Sequence, residues 1–210
     1  MSTSSRPPLP RERGALRLFR ALSPHLPRFE LPTPPPALEP FELVRVPRPG
    51  RPGKLAATWY PADDGCRGAV LLLPPWVPWG RSYFHRRGRI EALRAAGLAA
   101  LAIDFPGFDD SGPAAGLFDR DVEDGLAELA RRAPGRPLAV WGVSAGGYWA
   151  HPVLSRRNGV AAAFFEDVSP HLFEWSSRMR PLFRPMFLLF RLLYPTAHRF
   201  LDMRRHAEWF

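Results

Sequence analysis

A serine set between glycines, Gly142-Val143-Ser144-Ala145-Gly146, has the residue types and spacing that nucleophilic catalysis needs. A serine hydroxyl is a weak nucleophile until a base takes its proton and the chain lifts it clear of neighbouring backbone. Small residues on either side permit a sharp turn from strand to helix, where a larger side chain would clash. Such a turn raises the hydroxyl to the edge of a sheet. It also places the free N–H groups and positive end of the next helix where an oxyanion would develop. With 17 glycines in 210 residues, however, the pattern also arises by chance, and a serine that only caps a helix has the same local sequence. Context must decide. Here the apolar run Leu138-Ala-Val-Trp141 precedes the turn and a helical stretch follows it.

The elements around the turn read as alternating strands and helices. Phe41–Val46 alternates at period two, Pro47–Gly53 turns the chain, and Leu55–Tyr60 returns as the second arm of an antiparallel hairpin. Ala69-Val-Leu-Leu-Leu73 is continuously apolar, as a parallel strand buried on both faces should be. A loop, Pro74-Pro-Trp-Val-Pro-Trp-Gly80, leads to a helix predicted over 82–96 and stopped by Gly97. Leu98–Ile103 is the next strand, ending in Asp104-Phe-Pro-Gly-Phe-Asp-Asp-Ser-Gly112. A helix over 118–133 follows, with Val122, Leu126, Leu129 and Ala133 on one face. After the serine turn and its helix comes one more strand, Val160–Phe165. This order predicts an α/β fold: a mostly parallel sheet of about four strands plus the antiparallel hairpin.

Three landmarks give the chain a resemblance to the α/β-hydrolase family, serine esterase and lipase-like branch, from Phe41 to about Pro170. They are the elbow around Ser144, the Asp104–Gly112 turn, and the apolar strand running into Pro74-Pro75-Trp76. The resemblance implies that Ser144 forms an acyl-enzyme on a carboxylic ester, thioester or amide, with a histidine as base and an acid to orient it. It implies oxyanion donors at the Ala145 and Trp76 amides, Pro74-Pro75 standing where the family carries a His-Gly pair. Gly142 and Gly146 take the places of the elbow glycines, and neither metal nor cofactor is implied.

The match departs from the family after Phe165. The remaining 45 residues are spaced like cap helices, around Phe173–Trp175, Met186–Phe190 and Leu192–Tyr194, and no strand ends in the family's acid or histidine. Asp167, at the end of the last strand, is the candidate acid. The histidine base stays open among His85, His151, His171, His198 and His206. Two readings therefore stand. One is a serine hydrolase acting on apolar ester-like substrates. The other is a non-catalytic or truncated hydrolase-fold module that binds a ligand or partner without turnover.

Composition bounds the setting. Lys+Arg number 29 against 20 Asp+Glu, and Lys54 is the sole lysine. The arginines are scattered rather than gathered on one stripe, which argues against nucleic acid as a partner. Cys66 is the single cysteine, and Pro7, Pro8 and Pro10 break the place a signal peptide would occupy. Both features point to a cytoplasmic location. Residues 1–40 form a Pro/Arg-rich arm holding one basic amphipathic stretch, 13–22, that suits weak contact with a membrane surface. Residues 41–170 form the core and 171–210 a helical, cap-like segment. Residues 179–194 are too short and too rich in arginine (180, 184 and 191) to span a membrane. The strand 160–165 carries no charge before Glu166 and no proline, so its edge invites self-association.

Overall fold

A computed structural model describes residues 34–75, 79–107, 111, 118–156, 159–169 and 184–193. The chain divides into two compact units, His25–Val168 and a second made of Met1–Pro24 with Ser169–Phe210. The first holds a six-stranded sheet: β1 (Glu42–Pro47), β2 (Lys54–Tyr60), β3 (Gly68–Leu73), β4 (Leu98–Ile103), β5 (Leu138–Val143) and β6 (Val160–Glu166). Their spatial order is β1-β2-β4-β3-β5-β6. β1 and β2 pair antiparallel as the expected hairpin, and β2 joins β4 antiparallel. The four strands β4, β3, β5 and β6 run parallel. The sheet is mixed and mostly parallel, as the sequence predicts.

The apolar run of β3 went where its pattern directs. Every residue of β3 is buried, because helices cover both faces of the sheet at its centre. Helices α2 (Asp119–Arg132) and α3 (Ala145–Leu154) share one face, where Leu71, Leu73, Leu101, Ile103, Leu126 and Val153 form the larger core. Helix α1 (Arg89–Ala95) lies on the other, with Tyr60, Val70, Leu72, Phe84 and Ile90. Leu38, inside the span read as an arm, is fully buried in that second core, and Arg94 donates to its carbonyl.

One helix differs from its prediction. Instead of a single helix over 82–96, the chain makes a 3-10 turn, Gly80–His85, and then α1. Arg87 (φ 62°) and Gly88 (φ 65°) adopt left-handed backbone between them, which ends one helical run before the next begins. The break lets Phe84 and Arg81 turn inward rather than follow one helical face.

β6 is an edge strand, and Ala161 to Phe164 are exposed along it. An open apolar groove lined by Leu93, Ala139, Trp141, Ala162 and Phe164 runs over the middle of β5 and β6, below their carboxyl ends. In the second unit, Arg184–Leu193 is an α-helix, labelled α4. Among the described residues no helix is long and apolar enough to cross a membrane. The stretch 13–22 lies outside the described residues.

Candidate functional site

The sheet order places the serine turn at a switch in direction. From β3 the chain moves to β4 on one side, and β5 then returns to the other, the kind of switch point at which open α/β sheets bind their ligands. Ser144 is the first residue past β5 and the N-cap of α3. Its backbone has φ 47° and ψ −112°, a conformation that costs a non-glycine residue about 1–3 kcal/mol. The surroundings hold it there. Its N–H donates to the Glu166 carbonyl at 2.8 Å, and its own carbonyl accepts from the N–H groups of Gly147 (3.0 Å) and Tyr148 (3.2 Å). The hydroxyl makes no capping bond to the helix. A serine that merely starts a helix would spend its hydroxyl on that bond; here the bonds given among the described residues are made by its backbone.

The flanking glycines are a packing requirement. A Cβ on Gly142 would stand 2.7 Å from Gly147 Cα, and one on Gly146 would stand 2.2 Å from the carbonyl oxygen of Leu73. The turn is thus pressed against the last residue of β3. Beyond Leu73 come the buried Pro74 and Pro75, and Trp76 lies outside the described residues. Ala145 is the first residue of α3, so its amide belongs to the helix turn that has no intrahelical acceptor.

The landmark turn after β4 is a brace. Asp104 is fully buried, and its carboxylate accepts from the Arg81 N–H (2.5 Å) and pairs with the Arg81 guanidinium. Arg81 Nε also donates to Thr58 Oγ1 at 3.0 Å. Ser111 Oγ accepts from the Ala56 N–H (2.8 Å) and donates to the Asp104 carbonyl (3.0 Å). Asp104 thereby joins β2, β4 and the start of the 3-10 turn.

Asp167 follows β6, whose last residue Glu166 pairs in register with Val143, so the candidate acid stands one strand from Ser144. It is exposed and has a left-handed φ of 56°. Glu166 is a residue that sequence reasoning missed. Its carboxylate accepts from Arg89 Nη2 (2.7 Å), Tyr83 Oη (3.1 Å) and Trp141 Nε1 (3.2 Å). Arg89 also stacks over the Tyr83 ring at 4.5 Å. Burial, the larger cause, and the Glu166 carboxylate together raise the Tyr83 hydroxyl above its usual range. This clamp fixes the carbonyl that receives the Ser144 N–H. An acid closing an apolar strand was its only signal in the sequence, since its partner Arg89 lies 77 residues away.

The described histidines are held elsewhere. His85 Nε2 meets Tyr60 Oη at 2.5 Å on the face carrying the second core. Burial first, and the Arg81 charge second, push its pKa down to about 4, so it is neutral at neutral pH. His151 is buried within α3, its ring 6.1 Å from that of Phe165. His171, His198 and His206 lie outside the described residues.

No protein-family model matches the sequence, nor does any curated protein. Solved structures do match. An esterase from Pyrococcus furiosus superposes with a TM-score of 0.60 at 20% identity, covering 80% of this chain and 65% of that one. An alpha-beta hydrolase from Vibrio vulnificus gives 0.60 at 13%, covering 80% and 59%. A thermostable carboxyl esterase from Bacillus coagulans, in complex with glycerol, gives 0.55 at 17%, covering 72% and 51%. These likenesses show the fold: the chain has the α/β-hydrolase fold and spans between half and two thirds of the length of these neighbours.

Proposed function

We propose that this α/β-hydrolase fold serves a serine hydrolase acting on carboxylic esters, with Ser144 as nucleophile. The observation that carries the reading is the Ser144 backbone, strained and triply hydrogen-bonded while its hydroxyl is left out of the helix cap. Strain of this kind persists only where surrounding structure enforces it, and it concentrates at reactive residues. In the proposed reaction Ser144 Oγ attacks the carbonyl carbon while a histidine takes its proton. The alcohol leaves with that proton, and water then cleaves the acyl-enzyme. The Ala145 amide, at the positive end of α3, and the Trp76 amide are the proposed oxyanion donors. Asp167 is the proposed acid, supported by its place one strand over from Ser144. With His85 bonded to Tyr60 and His151 packed in the core, His171, His198 and His206 are the candidate histidines left to test.

The same placement of the described histidines favours a second reading, a hydrolase-fold module that binds without turnover. Hydrolysis of p-nitrophenyl esters separates the two. A triad enzyme loses on the order of 10⁶ in turnover, about 8 kcal/mol, when its serine or histidine is removed. The hydrolase reading expects Ser144→Ala, and one of the His171, His198 and His206 to Ala variants, to fall to background. Wild-type protein at background supports the second reading, and full activity in Ser144→Ala would refute Ser144 as the nucleophile.

A further inference from the structure

The two proposed oxyanion donors come from separate pieces of the chain. Trp76 lies in sequence between the buried Pro74-Pro75, which leave β3, and the 3-10 turn Gly80–His85. Ala145 follows Ser144, whose N–H is bonded to the Glu166 carbonyl at 2.8 Å. Donors of this kind lower a barrier only when both are aimed in advance at the spot where charge develops. One piece must therefore be fixed against the other.

Glu166 touches both pieces. Its backbone carries the serine turn, and its side chain reaches the segment that follows the Trp76 loop. Oε1 accepts from Arg89 Nη2 (2.7 Å) and Tyr83 Oη (3.1 Å), and Oε2 accepts from Trp141 Nε1 (3.2 Å). Arg89 Nη2 also donates to Tyr83 Oη at 3.2 Å, so the three groups close a triangle in which every donated proton has an acceptor site. Tyr83 belongs to the 3-10 turn and Arg89 opens α1. The ion pair is mostly out of water, its side chains 11% and 24% exposed, where charge-assisted bonds are short and strong. The other acid–arginine pairs at hand do different work. Glu128 pairs with Arg131 and Arg132 inside α2, and Glu42 ties Arg132 to β1 at the far edge of the sheet.

We propose that Glu166, with Arg89 and Tyr83, is a positioning residue for ester hydrolysis: it holds the 3-10 turn that follows the Trp76 loop against the serine turn, so that the two oxyanion donors converge. This role rests on the esterase reading, with Ser144 as nucleophile. The test is steady-state hydrolysis of p-nitrophenyl butyrate by the full chain, with circular dichroism confirming that each variant is folded at the assay temperature. Glu166→Gln keeps the side chain's shape, but whichever way its amide sits it turns an N–H toward a donor. Its kcat should fall about 10- to 100-fold, the cost of misplacing a reacting group by up to about 1 Å. KM should stay within about threefold, since the clamp lowers a barrier rather than binding substrate. Arg89→Met should fall likewise, Arg89→Lys should recover part of that loss, and the Glu166→Gln/Arg89→Met double variant should fall no further than either single one, as parts of one unit do. Asp121→Asn breaks a different buried pair, with Arg48, and serves as the stability control; it should keep wild-type kcat. Tyr83→Phe removes a single bond of the triangle, should lose less kcat than Glu166→Gln, and decides the matter if Glu166→Gln does not fold. Wild-type protein at background refutes the esterase reading and this role with it. Active wild type whose kcat survives Glu166→Gln, or survives Tyr83→Phe where only that variant folds, overturns the positioning role alone. So does a kcat that falls as far in Asp121→Asn.

Discussion

Replacing Gly146 with alanine tests how tightly the elbow is pressed against β3. The added methyl would lie 2.2 Å from the Leu73 oxygen and 2.6 Å from its carbonyl carbon. Both are backbone atoms of the central strand, so relief needs the elbow and β3 to separate by about 1 Å. Overpacking of this kind costs typically 1–3 kcal/mol or more. Alanine returns about 1 kcal/mol in helix propensity, since position 146 lies inside α3. The methyl meets main chain rather than a side chain that could swing aside, which puts the overpacking at the upper end. The net expectation is a loss of about 2 kcal/mol, or roughly 4–8 °C in melting temperature for a chain of this size. Gly147→Ala is the internal control. Its Cβ would meet the Val168 Cγ2 at 2.4 Å and Phe165 Cδ1 at 3.2 Å, both side-chain atoms. It should therefore cost less than Gly146→Ala. Urea unfolding of the two variants decides. If Gly146→Ala is as stable as wild type, helix propensity outweighs the contact and the argument for a compressed elbow fails.

Three further outcomes are expected. Glu166→Gln should lower stability by about 1–2 kcal/mol, because Arg89 loses its charged partner; a double-mutant cycle with Arg89→Met should show coupling of at least about 0.5 kcal/mol, and additive effects would dissolve the clamp. His85 titrates near 4 when folded against 6.5 when unfolded, so its contribution is present above pH 6.5 and lost as pH falls, by roughly 3 kcal/mol at pH 4. Denaturant titrations of His85→Gln should therefore show a shallower decline between pH 6.5 and 4 than wild type, and parallel curves would refute the shift. Ala162→Lys, on the exposed edge strand, should raise the monomer fraction if β6 drives self-association; wild-type monomer by light scattering at tens of micromolar would remove that role from the edge.

The parts of the fold legible in the sequence are those written in local pattern. β3 is buried on both faces and reads as an unbroken apolar run, and β1 alternates because one face is wet. The elbow glycines could be read because steric need leaves so few residue types there. The broken helix could not be, since Arg87 takes a left-handed conformation that no periodicity marks. Nor could the pairs that brace the site. Arg81 and Asp104 are 23 residues apart, Arg89 and Glu166 are 77, and only the strand order brings them together. His85 reads as a candidate base opening a helix, whereas its burial beside Tyr60 comes from the 3-10 turn that replaced that helix.

The account rests on Ser144 being an activated nucleophile, and covalent labelling tests that most directly. Native protein is treated with a fluorophosphonate, digested and mapped by mass spectrometry. The expected result is one adduct, on Ser144, absent from Ser144→Ala and from heat-unfolded protein. An unlabelled Ser144 in folded protein, or an adduct at another residue that Ser144→Ala retains, would contradict the claim.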